Sequence, residues 1–144
     1  MSVIAWDGRH IVADNQVTEG SVPKRTQKLF RVQRDKVIHG VGFVGAYSDG
    51  LQLVAWWRQG GDEDEMPSCP ETTLIVATGA SCWCYDDGVA IPQPVMEPYA
   101  AFGSGSYYAD SALALGYTAR QAVLHAIQHD VFCGMGTTSI KLRK

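Results

Sequence analysis

Two short apolar runs, residues 2–6 and 10–14, are joined through Asp7-Gly8. That pair accepts the positive φ angles of a tight turn, so the chain opens as an antiparallel hairpin. A lone hairpin is marginally stable in water, so this opening obliges the rest of the chain to supply more strands and a covering layer.

Later segments meet that demand. Residues 28–33 and 36–41 predict a second pair of strands about Arg34-Asp35, and 73–77 and 81–85 a third about Gly79. The polar stretch 15–27, with Gly20 and Pro23, reads as a long loop. The glycine-rich segment 40–45 leads into a helix capped by Ser48 or Asp49, with Leu51, Val54, Ala55 and Trp57 at helical spacing. Residues 59–72 then break the pattern with Gly60-Gly61, the acidic run 62–65, Pro67 and Pro70, and read as a solvated loop. Pro92, Pro94 and Pro98 exclude regular helix or central strand there.

In the last third, Gly103-Ser104-Gly105 enters a helix over 108–115 that Gly116 stops. Thr118 with Gln121 forms a capping box for a further helix to about His129, and 138–142 closes the chain as a strand. Strands, helix, strands, two helices and a strand, in that order, argue for a layered α+β domain rather than a doubly wound parallel sheet. With 144 residues and no linker or repeat, residues 1–144 read as one domain.

Composition excludes several function classes. A net charge of −3 offers no electrostatic reason to bind nucleic acid, and no apolar run approaches the ~20 residues needed to cross a bilayer. The N-terminus lacks the basic start and long apolar stretch of a signal peptide, which places the chain in the cytoplasm. Cys82 and Cys84 share a strand face, while Cys69 and Cys133 stand alone; without a second close pair, reduced thiols are expected rather than zinc. His125 and His129 are four apart on a helix, but lack the glutamate of a zinc-peptidase motif and read as solvent-facing. Gly103-Ser104-Gly105 lacks both the third glycine of a dinucleotide fingerprint and a P-loop lysine.

Ser2 is the most informative residue. A methionine before a small residue is normally trimmed, which would leave serine first. An α-amine has an unperturbed pKa of roughly 7.7–8.0, so part of it is neutral near pH 7 and can take the proton of the neighbouring hydroxyl.

The order of the pieces adds to this. Ser2-Val-Ile-Ala-Trp-Asp-Gly-Arg-His-Ile-Val-Ala-Asp14 resembles the opening of proteasome β-subunits and the HslV peptidase, where a nucleophile begins the first strand and an Asp ends the second. Lys28 in Thr-Gln-Lys-Leu-Phe stands where that family has the lysine opening its third strand. The run from Asp35 to Gly45 looks like the following strand and glycine turn. Ala101-Phe-Gly-Ser-Gly-Ser-Tyr-Tyr-Ala109 resembles the family's Gly-Ser-Gly helix entry, and Asp130-Val-Phe-Cys-Gly134 its Asp-x-x-Ser-Gly element. The likeness runs in register over nearly the whole chain.

The resemblance implies an N-terminal-nucleophile hydrolase: a four-layer αββα sandwich of two antiparallel sheets. It implies Ser2 as nucleophile with its own amine as base, Lys28 keeping the site electropositive and Asp14 fixing Lys28. It further implies the Gly45 N–H as oxyanion donor, with Ser104 and Asp130 orienting the amine. The expected function is a peptidase subunit cleaving peptide bonds in peptide or unfolded-protein substrates, within a homo-oligomer and without a cofactor or metal. An ATPase unfoldase partner follows by analogy only. The alternatives are a catalytically silent scaffold or assembly protein of the same fold, and a hydrolase of small amides.

This chain departs from the family pattern in three places. Serine replaces the usual threonine and loses the methyl that restricts the hydroxyl rotamer. Cys133 replaces the serine of Asp-x-x-Ser with a poorer donor. The family's second long helix is missing, with the 59–72 loop in its place; the expectation is that Trp56 and Trp57 are left uncovered and form a subunit interface. Retention of Met1 would make the Ser2 nitrogen an amide and silence the mechanism.

Overall fold

The computed structural model describes residues 2–19, 21–86 and 89–143. The opening hairpin forms as expected: β1 (Ile4–Trp6) pairs antiparallel with β2 (His10–Asp14) around Gly8, whose φ is +86°. Asp7 holds the turn. Its Oδ1 accepts the N–H groups of Arg9 and His10 at 2.9 and 2.8 Å, and its Oδ2 accepts Ala119 N–H at 2.8 Å. Burial raises the Asp7 pKa, but those three donors outweigh it and hold the carboxyl below its ordinary value.

Residues 15–27 are not the predicted loop. They contain a second hairpin, β3 (Gln16–Glu19) and β4 (Val22–Arg25), with Pro23 opposite Thr18. Gly20, read as part of that loop, lies outside the described residues. The two strands pair only with each other and β4 is exposed throughout, so they carry no apolar alternation and can tolerate a proline.

The larger sheet follows as β5 (Leu29–Arg34), β6 (Val37–Val44), β7 (Thr73–Ala77), β8 (Cys82–Tyr85) and the two-residue edge β9 (Gln93–Pro94), antiparallel in sequence order. The β5–β6 turn falls at Asp35-Lys36, both with positive φ. β6 runs through Gly40 and Gly42 because neighbours occupy their Cβ positions. A side chain at Gly40 would begin 2.3 Å from Ile11 of β2, and one at Gly42 would begin 2.8 Å from the Lys28 carbonyl.

α1 (Tyr47–Arg58) follows, capped neither by Ser48 nor Asp49. Its N-cap is Ala46, which has no side chain to offer; the Ala46 N–H donates to Thr72 Oγ1 at 3.3 Å. A strand missed in the proline-rich stretch, β10 (Ala100–Phe102), pairs with β1. α2 (Ser106–Ala114) precedes α3 (Ala119–His129), whose predicted Thr118–Gln121 capping box is complete. β11 (Thr137–Lys141) pairs with β2, giving the first sheet the order β10-β1-β2-β11.

The strand alternation distributes the core into three clusters. Val3, Ala5 and Val12 pack against Ala109, Leu113, Ala122, Val123 and Ala126 of α2 and α3. Ile4, Trp6, Ile11 and Ala13 point the other way, onto Leu29, Ile75 and Ala77 of the larger sheet. On that sheet's far face, Val41, Phe43, Leu74 and Val76 meet Leu53, Val54, Trp56 and Trp57 of α1. The fold is thus α+β, with antiparallel sheets and, among the described residues, three α-helices.

The tryptophans overturn one expectation. Trp56 and Trp57 are 5 % and 4 % exposed, so the chain covers them itself. The 59–72 segment does much of this. Trp56 Nε1 donates to Asp62 O at 2.7 Å, and Cys69 and Met66 join the α1 cluster. Trp57 lies under the Arg34 guanidinium, 3.7 Å from its ring centre, and beside His39. Only a 3-10 turn, Glu63–Glu65, interrupts this loop.

Candidate active site

β1 and β2 bring Ser2 and Asp14 to the same end of the first sheet, and Lys28 enters from the start of β5. Asp14 is fully buried and is the hub. Its Oδ1 accepts Lys28 Nζ at 2.7 Å and the Val3 N–H at 3.0 Å; its Oδ2 accepts the N–H groups of Gln16 at 3.3 Å and Gly134 at 3.1 Å. One carboxylate therefore ties the residue after Ser2, the lysine at the start of β5 and the turn beyond α3 together. Lys28 Nζ also donates to the Gln16 carbonyl at 2.7 Å. Burial lowers the Lys28 pKa below its ordinary value, against the opposing pull of Asp14.

Ser2 is 1 % exposed, and its Oγ is buried without a hydrogen-bond partner among the described residues. Leaving a buried hydroxyl unpaired costs about 1–3 kcal/mol, so this group departs from the rule that buried polar atoms are paired. The Ser2 carbonyl is well held. It accepts Gly105 N–H at 3.2 Å and Ser104 Oγ at 3.4 Å. Gly103 makes this approach possible: its φ is +98°, and a Cβ there would fall 2.1 Å from the Ser2 oxygen. The Gly105 N–H that an external anion would need is therefore occupied by the chain's own carbonyl.

Asp130 and Cys133 form a turn after α3. Asp130 Oδ1 accepts Phe132 N–H at 2.9 Å, and Oδ2 accepts Cys133 Sγ at 3.5 Å. The Cys133 thiol is pushed up to about 12 by burial first and then by the charges of Asp14 and Asp130. It is a neutral, weak donor. Gly45 ends β6 with φ +121°, where a Cβ would come within 2.6 Å of Glu71 O and 2.9 Å of Thr72 Oγ1.

Ser2, Asp14, Lys28 and Ser104 are thus joined by direct or shared contacts. Asp130 reaches this group through Cys133, which packs on Gly105, while Gly45 is braced from behind by Thr72. Two residues were missed. Gln16 supplies a carbonyl to Lys28 and, through Nε2, donates to Val131 O at 3.0 Å; it opens β3 in a stretch that reads as loop, so nothing local marked it. Thr72 sits at a loop end, and nothing in the sequence marks it. His129 stacks on Tyr108 and meets His125 edge-on, and no group of three or more metal-ligating side chains occurs among the described residues. All four cysteines are free thiols.

No family model matches the sequence, and no curated protein matches it significantly. Solved structures do match the fold. BPH of Thiobacillus denitrificans, in complex with epoxomicin, aligns with a TM-score of 0.72 and 19 % identity over 100 % of both chains. HslV of Trypanosoma brucei aligns at 0.71 and 23 % identity over 99 % of each chain. A Gly-1 mutant of Anbu from Hyphomicrobium sp. strain MC1 aligns at 0.75 with 9 % identity, over 98 % of this chain and 81 % of that one. No described helix is long and apolar enough to cross a membrane. The polypeptide thus has the proteasome-β-like fold of the N-terminal-nucleophile hydrolases.

Proposed function

We propose that this chain is a peptidase subunit that attacks peptide bonds with Ser2 once Met1 has been removed. Met1 itself lies outside the described residues. The observation that carries the reading is the unpaired Ser2 hydroxyl beside a carboxylate hub that also holds Lys28.

With the amine free, its neutral form takes the Ser2 hydroxyl proton as Oγ adds to the substrate carbonyl carbon. The Gly45 N–H meets the oxyanion, and the buried Lys28 ammonium favours both the neutral amine and the developing charge on Oγ. Collapse returns the proton to the leaving amine and leaves an ester on Ser2. Water, deprotonated by the same amine, then releases the acid. Asp14 positions Lys28, while Ser104 and Asp130 keep the N-terminal residue oriented. The three core clusters support reading the molecule as a four-layer αββα sandwich formed by one domain; the homo-oligomer reading rests on the resemblance to the family.

The test is hydrolysis of a fluorogenic peptide panel by protein whose mass shows Met1 removed. Turnover that disappears in Ser2→Ala supports the reading. Turnover of small amides alone moves it to the amidase alternative; no turnover, or a purified protein that keeps Met1, moves it to the scaffold.

A further inference from the structure

The first sheet ends at β11 and the larger sheet at β5, and both edge strands line an open cleft of ≈ 710 Å³. Leu29 and Ile140 form its apolar floor. Arg31 of β5, Lys141 of β11 and Arg143 line it, and among the described residues no carboxylate side chain does. Arg143 is fixed there by donating from Nε to Gly79 O at 2.6 Å. Three cations at two open strand edges discourage pairing with an apolar strand and select an anionic occupant.

The chain carries one segment of that chemistry. Asp62, Glu63, Asp64 and Glu65 are all exposed, and residues 59–72 contain no lysine or arginine. The acids are presented on a fixed turn. Asp62 Oδ1 caps it by accepting Asp64 N–H at 3.1 Å, and Trp56 Nε1 anchors it from below through the Asp62 carbonyl. The segment that covers the tryptophans thus also displays four carboxylates on one tip.

We propose that the acidic turn of one copy docks into the cationic cleft of the next. The contact is head-to-tail, so it propagates into a ring if the rotation closes and a filament if it does not. It rests on the reading of the chain as an oligomer subunit, and not on the chemistry of Ser2.

The test is sedimentation velocity on the full chain, at low salt and at about 1 M salt, where the Debye length shrinks to about 3 Å. Two exposed double variants are compared, Arg31→Glu/Lys141→Glu and Glu63→Lys/Glu65→Lys, with circular dichroism to establish that each folds. Each variant alone is expected to weaken self-association at least about tenfold at low salt, the effect of about 1.4 kcal/mol lost over two charge pairs. An equimolar mixture is expected to recover pairwise association, because the unaltered acidic turn of one variant then meets the unaltered cleft of the other. Assembly that ignores both reversals overturns this contact and leaves the oligomer reading standing. A chain that is monomeric at every salt concentration overturns both.

Discussion

Lys28 and Asp14 form a buried ion pair, Nζ to Oδ1 at 2.7 Å, with side chains 3 % and 0 % exposed. The same Oδ1 accepts the amide of Val3, next to the proposed nucleophile, so the pair also fixes where the chain begins to enter the sheet.

Breaking this pair from one side strands a charge. Lys28→Met leaves Asp14 uncompensated in the core and is expected to cost about 3–5 kcal/mol of stability. Lys28→Met combined with Asp14→Asn should cost less than the sum of the two single changes. Denaturant unfolding of the four proteins measures the coupling.

Gly103 and Gly45 should refuse a methyl group. Gly103→Ala puts a Cβ 2.1 Å from the Ser2 carbonyl at a positive φ, and Gly45→Ala meets Glu71 O at 2.6 Å. Each is expected to cost about 2 kcal/mol or more, because backbone as well as side chains must move. Gly60→Ala is the control: its φ is also positive, but nothing lies within 4 Å. Thermal melts of the three variants should separate steric contact from backbone strain.

The buried thiols set an alkaline limit. Cys82, by burial and then the neighbouring Cys84, and Cys133, by burial and then Asp14 and Asp130, are each pushed up to about 12 from 9.0. A raised acid pKa contributes stability that is complete below 9.0 and lost as pH climbs toward 12. Lys28, with its lowered value, acts in the opposite sense below 10.5. Unfolding free energies for wild type and Cys82→Ala from pH 8 to 11 should show a shallower decline in the variant. A thiol reagent at pH 8 should leave Cys82 and Cys133 unmodified until denaturant is added.

Trp57 belongs to the folded core rather than to a free surface. Trp57→Ala is expected to cost about 3–5 kcal/mol. Equilibrium unfolding should show that loss; a change in assembly with stability intact would contradict it.

Much of this molecule was legible in local patterns. Asp7-Gly8 located the first hairpin and Thr118 with Gln121 the start of α3, and Ser2, Asp14, Lys28 and Ser104, picked out by their order, lie near one another in the fold. What was hidden depended on contacts distant in sequence. β3 and β4 pair only with each other, so their sequence shows no apolar face. Gly40 and Gly42 look like a turn until Ile11 and the Lys28 carbonyl are seen to fill their Cβ space. The burial of Trp56 and Trp57 required knowing that the acidic loop folds back over them. The bond from the Ser104 hydroxyl to the Ser2 carbonyl spans about a hundred residues of chain, and no local pattern signals it.

The central claim is a free amine and an unpaired hydroxyl on the same residue, and an α′,β′-epoxyketone reports on both. Such a probe offers a ketone to Oγ and an epoxide carbon to nitrogen. Intact mass after incubation with epoxomicin, the compound in complex with Thiobacillus denitrificans BPH, should show Met1 gone, one adduct at Ser2 and none in Ser2→Ala. Protein that has lost Met1, is folded, and takes up no adduct would contradict the account.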